Sequence, residues 1–291
     1  MTTARILITG AAGHLGRLVI QQLLEKSPAT PLVALVRNPA AAADFAARGV
    51  EVRVGDYDDP ATLDTALRGV ERLLLISSNI LGKRVSQHRN VIAAARRASV
   101  RFMAYTSVLH ADRSVLGLAE DHRQTEAAIR ESGVPFAVLR NGWYTENYTG
   151  SIGAALAHGA VAGSAGDGRI SSAARRDFAA GAAAVMLGSQ EAKERIYELA
   201  GDSAYSLTEY AAELSRQSGK DIPYRNLPQD TYQGVLLGAG LPEPVARLIA
   251  DSDAAAAGGA LFDDGRQLSR LIGRPTTSLS ESIAEALGKV S

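Results

Sequence analysis

Gly10, Gly13 and Gly16 stand three residues apart, directly after the apolar run Arg5-Ile6-Leu7-Ile8-Thr9. The run reads as a β-strand. Residues 17–26 read as a helix, with Leu15, Leu18, Val19, Leu23 and Leu24 on one face. In such a strand–turn–helix each glycine has a separate task. Gly10 permits a tight turn, Gly13 lets the backbone approach a pyrophosphate, and Gly16 lets the helix pack against the strand. The N–H groups that open the helix then face negative phosphates. A dinucleotide is the ligand this pattern takes.

The next informative residue is Arg37, which ends the second apolar run at residues 31–37. NAD sites usually place a carboxylate here, about 20 residues past the glycine turn, to hold the ribose 2′-hydroxyl. A guanidinium grips a 2′-phosphate instead, with two parallel hydrogen bonds, so the expectation is NADP(H), with NADPH as donor. Asp56, at the end of a third strand over 50–56, either meets the adenine amino group or opens the turn Asp56-Tyr57-Asp58-Asp59-Pro60. Ser77-Ser78-Asn79 follows a fourth strand over 70–76 and is expected to line the nicotinamide ribose and the diphosphate, because ligands in open α/β sheets bind outside the carboxyl ends of the strands.

Acid–base machinery is sparse. Many reductases of this architecture use Tyr-x-x-x-Lys, in which the lysine lowers the pKa of a proton-donating tyrosine. No tyrosine here has a lysine four residues on, and the helix where the pair belongs reads Leu118-Ala119-Glu120-Asp121-His122. Either the chain binds its nucleotide without turnover, or its substrate needs little proton help. A quinone meets the second condition, since it takes up hydride to give an aromatic hydroquinone. Its oxyanion needs only hydrogen-bond donors and solvent protons. Asn141, Tyr144 and Thr106 are the candidate donors, and Trp143 with Tyr144 offers planar surface for a ring. There is no Gly-x-Ser-x-Gly and no His-Glu-x-x-His. His88 reads as a helix-face residue and His110 as a loop residue.

The elements that must position these residues alternate strictly through the first half. Helices are expected at 39–48, 60–68, 85–97 and 119–131, and further strands at 100–107 and 135–140. That order specifies a Rossmann-type α/β fold with a doubly wound parallel sheet. The second half reads as a smaller mixed domain. It has a glycine-rich turn at 163–168, helices at 175–187, 207–218, 242–251 and 280–287, and a strand at 194–199. Residues 254–260 read as a flexible small-residue connection. The expected division is a nucleotide-binding domain over 1–145 and a substrate or cap domain over 146–291, with part of 172–200 returning to the sheet.

Composition narrows the class. The 291 residues are 46% hydrophobic with a net charge of zero, and the basic residues are scattered, which argues against a nucleic-acid face. There is no cysteine, so disulfides, thiolate nucleophiles and zinc–thiolate sites are excluded. Nothing resembles a signal peptide, no stretch is apolar for long enough to span a bilayer, and a cytoplasmic location is expected.

The segments Gly10-Ala11-Ala12-Gly13-His14-Leu15-Gly16, Val36-Arg37-Asn38-Pro39, Leu75-Ile76-Ser77-Ser78, Gln87-His88-Arg89-Asn90, Ala104-Tyr105-Thr106-Ser107 and Leu139-Arg140-Asn141-Gly142-Trp143-Tyr144 together resemble the bacterial type 2 NAD(P)H:quinone oxidoreductases, which are NmrA-like, atypical short-chain dehydrogenase/reductases. The resemblance runs on through Glu198-Leu199-Ala200-Gly201-Asp202-Ser203 and Leu261-Phe262-Asp263-Asp264. It departs at Asn79, where a third serine is expected, and at His14 inside the glycine turn. It implies a flavin-free oxidoreductase that moves hydride from NADPH to a quinone bound beside the nicotinamide, near Asn141; the expected position of that quinone is between the two domains. It also implies nucleotide contacts at Gly10, Ala11, Ala12, Gly13, His14, Leu15, Arg37, Ser77, Ser78, Asn79, Asn141, Gly142, Trp143, Tyr144, Thr145 and Glu146, with Arg175 as a further candidate. No metal is implied, and a homodimer is compatible with it. The alternative is an NmrA-like redox sensor that binds NADP(H) and acts through a protein partner.

Overall fold

The computed structural model describes residues 4–188 and 194–290. Residues 1–3, the short lead into the first strand, and 189–193, within the stretch expected to return to the sheet, lie outside them, as does Ser291.

In chain order the elements are β1 (Ile6–Ile8), α1 (His14–Lys26), β2 (Leu32–Val36), a 3₁₀ turn (Pro39–Ala42) leading into α2 (Ala43–Ala46), β3 (Glu51–Val54), α3 (Pro60–Ala66), β4 (Arg72–Leu75), α4 (Arg84–Arg97), β5 (Phe102–Val108), α5 (Ala119–Ser132) and β6 (Phe136–Asn141). Then follow α6 (Glu146–Thr149), α7 (Ile152–His158), β7 (Val161–Gly163), α8 (Arg175–Leu187), β8 (Glu194–Leu199), α9 (Leu207–Ser218), β9 (Tyr224–Asn226), α10 (Gln229–Gly238), α11 (Glu243–Ala257), α12 (Gln267–Ile272) and α13 (Leu279–Val290). The chain divides into two compact units. One comprises Met1–Val108, Glu120–Asn141 and Arg175–Tyr197; the other comprises Leu109–Ala119, Gly142–Ala174 and Glu198–Ser291.

The first unit is built on a seven-stranded sheet in the order β3-β2-β1-β4-β5-β6-β8. The pairings from β3 through β6 are parallel. Alternation along each strand explains why these runs are apolar throughout. Leu7, Val33, Leu35, Leu73, Leu75, Met103, Tyr105, Phe136 and Val138 share one core with α3, α4 and α5 residues such as Leu63, Val91 and Ile129. On the other face α1 packs on α8, and α8 runs against β4, β5 and β6. Arg72 is buried there and donates from Nη1 to Gly188 O at 3.0 Å and from Nη2 to Val185 O at 3.1 Å. A cation thus satisfies carbonyls at the end of α8 that the helix itself leaves unpaired.

β1 is the pivot. The sheet grows from it in both directions, through β2 on one side and β4 on the other, which opens a crevice at the carboxyl edge. Gly10 turns the chain there with φ of 57°. Gly16 then rests on that turn: a Cβ at residue 16 would lie 2.3 Å from Gly10 O and 2.8 Å from Ala11 Cα.

The second unit carries a two-stranded parallel pair, β7 with β9, and the helices α6, α7 and α9–α13. Ser206 and Glu209 form a complete capping box at the start of α9. The segment 254–260 corrects the expected flexible connection, because α11 continues to Ala257. Alanine is the strongest helix former, and Ala250 and Ala256 are buried. Asp253 on the same helix accepts from the Ser164 N–H at 3.0 Å and from the Tyr148 hydroxyl at 3.2 Å, which ties the helix down. The stretches 152–158, 224–226, 229–238 and 267–272 are regular elements that the sequence pattern does not announce. Among the described residues no helix is long and apolar enough to cross a membrane.

Two glycines separate close packing from open surface. Gly16→Ala is expected to cost about 1–3 kcal/mol by overpacking. Gly234→Ala, inside α10 with open space around it, is expected to be neutral or to stabilise by about 0.5–1 kcal/mol. Urea unfolding of both variants checks the pair, and equal stabilities would contradict the packing at Gly16.

Candidate active site

A cavity of about 330 Å³ lies in the first unit at the carboxyl edge of the sheet. Gly10, Ala12, Gly13, His14, Leu15 and Gly16 line it, together with Arg37, Asp56 and the continuous wall segment 76–80. The opening of α1 suits an anion. No side chain caps it, no acidic residue occupies its first turn, and its first intrahelical bond is Arg17 N–H to Gly13 O. The N–H groups of the first helical residues therefore have no helical partner.

Arg37 is exposed one residue past β2, and no described residue pairs with its guanidinium. A charge held at the cavity edge without a protein counter-ion fits a ligand phosphate. Asp56 does open the turn, since its Oδ1 accepts from Asp58 N–H at 3.0 Å, and it also lines the cavity. Tyr57, Gln87 and Ile80, which the sequence pattern does not single out, line it too. Tyr57 is fixed by its hydroxyl, which donates to Ile76 O at 3.1 Å. Gly55 packs so closely that a Cβ would lie 2.7 Å from Leu35 Cδ1. These residues fit a dinucleotide: an uncapped helix start for the pyrophosphate, a free guanidinium for a 2′-phosphate, and a tyrosine-lined recess.

The remaining expected site residues fall elsewhere. Ala11 is fully buried and is not part of the cavity lining. Thr106 lies beneath the wall, its Oγ1 accepting from Ser77 N–H at 2.9 Å. Asn141 ends β6, buried, and its Oδ1 has no hydrogen-bond partner. An unsatisfied buried carboxamide costs about 1–3 kcal/mol, which a ligand group can recover. Beside it in sequence, Arg140 pairs with Glu126 through Nε at 3.0 Å and Nη2 at 2.9 Å, and Ser107 Oγ donates to the same carboxylate at 2.7 Å. That buried network fixes the end of β6.

Gly142, Trp143, Tyr144, Thr145 and Glu146 belong to the second unit. Glu146 begins α6. Trp143 O accepts from Ala173 N–H at 3.1 Å and Ala173 O accepts from Thr145 N–H at 2.9 Å, so this stretch is pinned to residue 173. The Thr145 hydroxyl is taken up by Ser172 Oγ at 2.8 Å. Arg175 opens α8.

His88 is the histidine whose role the sequence obscures. It is wholly buried rather than on a solvated helix face, and its Nε2 accepts from Ser78 N–H at 2.8 Å. Burial, then the nearby Arg84 guanidinium, pushes its pKa down to about 3, so it is neutral at ordinary pH. His122 is buried too, with Nδ1 2.7 Å from the Tyr105 hydroxyl, and burial holds its pKa well below the usual histidine value. The helix expected to carry a tyrosine–lysine pair thus holds an inward, neutral histidine. Among the described residues no group of three or more acidic or histidine side chains could hold a metal.

The sheet order, the glycine turn and the cavity define a Rossmann-type nucleotide-binding protein. The NmrA-like family model matches residues 2–286, and the chain belongs to that family. It is 54% identical over 280 residues to quinone oxidoreductase 2 of Escherichia coli K12, covering 96% of this chain and 97% of that one. The crystal structure of the NADPH-dependent quinone oxidoreductase of Escherichia coli complexed with NADPH aligns with a TM-score of 0.94 at 53% identity, over 97% of this chain and 99% of the other. The triphenylmethane reductase of Citrobacter sp., complexed with NADP(H), aligns with a TM-score of 0.92 at 38% identity, over 97% and 99%.

The buried neutral histidine makes stability depend on pH. In the unfolded chain His88 titrates near 6.5, and in the folded chain near 3. Its contribution is complete above pH 6.5 and is lost as pH falls toward 3, by up to about 1.4 kcal/mol per pH unit. His88→Gln is expected to remove about 2 kcal/mol of the stability lost between pH 7.5 and pH 5, measured by urea unfolding at both values. An unchanged pH dependence would contradict the neutral buried state.

Proposed function

We propose that this chain is an NADPH-dependent, flavin-free quinone reductase that passes hydride directly to a quinone. The observation that carries the reading is 54% identity over 96% of the chain to the Escherichia coli quinone oxidoreductase. The cavity supports it, with an uncapped helix start and an unpaired Arg37 where an NADPH donor needs them. The same likeness favours catalysis over the redox-sensor alternative.

NADPH, when bound, supplies the hydride. The residues of the chain do the rest. The N–H groups at the start of α1 hold the pyrophosphate. Arg37 holds the 2′-phosphate and so selects NADPH over NADH. Asn141 turns its carboxamide so that an N–H donates to the quinone carbonyl oxygen, which gains negative charge as hydride arrives. The developing hydroquinone is aromatic, so the reaction runs downhill without a strong protein acid, and protons come from water or a neighbouring hydroxyl such as that of Thr106. The reading also includes a cytoplasmic enzyme, compatible with a homodimer, with no nucleic-acid or membrane partner.

NADPH absorbance followed with benzoquinones and naphthoquinones, without added flavin, tests the proposal. Quinone-dependent loss, faster with NADPH than with NADH, is the expected result, and NADPH binding without turnover would overturn it. Arg37→Glu is expected to lower kcat/KM for NADPH about 100-fold and to reverse the cofactor preference, because a carboxylate repels the 2′-phosphate and accepts from a 2′-hydroxyl. Retained preference for NADPH would remove Arg37 from its role. Asn141→Ala is expected to lower kcat roughly 10- to 100-fold, with the KM for NADPH little changed.

A further inference from the structure

Every polar group of Ser78 is held by one face of α4. Its N–H donates to His88 Nε2 at 2.8 Å, its carbonyl accepts from Arg84 Nε at 2.7 Å, and its hydroxyl donates to Gln87 Oε1. Ile80 N–H donates back to Ser78 Oγ at 3.2 Å. Residues 84, 87 and 88 stand at spacings of three and four, so one helical stripe presents all three partners. Ser78 therefore has its polar groups engaged by the protein, while the stretch 76–80 forms a cavity wall.

A second layer fixes the grip. His88 Nδ1 lies 3.0 Å from Thr125 Oγ1, and that hydroxyl donates to Asp121 O at 2.8 Å. Arg84 Nη1 also donates to Asp121 Oδ2, at 3.1 Å. Because Nε2 accepts and Thr125 spends its proton on Asp121, the His88 proton must sit on Nδ1. His88, Arg84 and Thr125 do not belong to the cavity lining.

We propose that Arg84, Gln87 and His88 are positioning residues for the nucleotide, holding the 76–80 wall in its binding shape through Ser78, with His88 acting as the neutral Nδ1–H tautomer. A wall fixed in advance loses less conformational freedom when ligand arrives. The inference rests on the NADPH reading above and assigns Ser78 to anchoring the wall rather than to touching the cofactor with its side chain.

Calorimetric NADPH binding, without quinone, tests it. His88→Leu is expected to raise the Kd for NADPH about tenfold, with kcat at saturating NADPH within about twofold of the parent. His88→Gln keeps an acceptor for the Ser78 N–H and is expected to bind within about threefold of the parent. Nitrogen-15 spectra of the parent should show His88 neutral and protonated at Nδ1. A parent-like Kd for His88→Leu, no rescue by His88→Gln, or a proton on Nε2 would each overturn the assignment. Should circular dichroism show His88→Leu unfolded, Thr125→Val decides: a raised Kd supports the relay and an unchanged one overturns it. Parent protein that binds no NADPH would overturn the cofactor reading as well, whereas tight binding in parent and variants alike would overturn only the positioning role.

Discussion

A methyl group on residue 16 would sit 2.3 Å from the Gly10 carbonyl oxygen, so the first turn of α1 rests directly on the turn that ends β1. That close approach decides much else. It brings the open end of a 13-residue helix to the carboxyl edge of the sheet. Because β1 has parallel neighbours on both sides, that edge is also where the sheet changes direction and parts into a crevice. The lining of the cavity and the packing of α1 on the sheet thus depend on the same few backbone atoms.

Around the crevice, buried polar groups follow two opposite rules. Beneath the wall they are fully engaged: His88, Arg84, Gln87 and Thr125 take up one another and Ser78, and neutrality spares His88 the cost of burying a charge. At the end of β6 the Asn141 oxygen is left without a partner, although the Arg140–Glu126 pair next to it is bidentate. The Asn141 oxygen shares that state with Ser164 Oγ, Asp202 Oδ1, Tyr210 Oη and Arg72 Nε, and an unpaired amide oxygen can be satisfied only by a donor.

The acid–base equipment agrees with that economy. On the helix where a tyrosine–lysine pair is expected and is absent, His122 turns inward against the Tyr105 hydroxyl, and burial keeps it uncharged. A substrate that becomes aromatic on taking up hydride asks only for oriented donors and access to water. The likeness to a quinone oxidoreductase carries that chemistry, whereas the lack of a Tyr-x-x-x-Lys pair is equally compatible with nucleotide binding without turnover.

The sequence alone determined the parallel sheet, the glycine turn and the cation at Arg37. These depend on local rules: alternation along a strand, sterics at a glycine, and the length of chain between a turn and the next strand end. Each can be read without knowing what lies across the molecule. Tertiary structure decided the rest. The alanines of 254–257 are helical because Asp253 is anchored to Ser164, 89 residues earlier, and to Tyr148. Leu109–Ala119 joins the second unit although it lies between strands and helices of the first. Tyr57 and Gln87 reach the cavity only because β3, α3 and α4 fold back around β1. His88 is an ordinary helix residue in the sequence and a buried acceptor in the fold. Its partners, Ser78 and Thr125, lie 10 and 37 residues away on other elements. Side-chain hydrogen bonds of this kind join residues whose separation along the chain carries no signal, and only packing brings them within 3 Å.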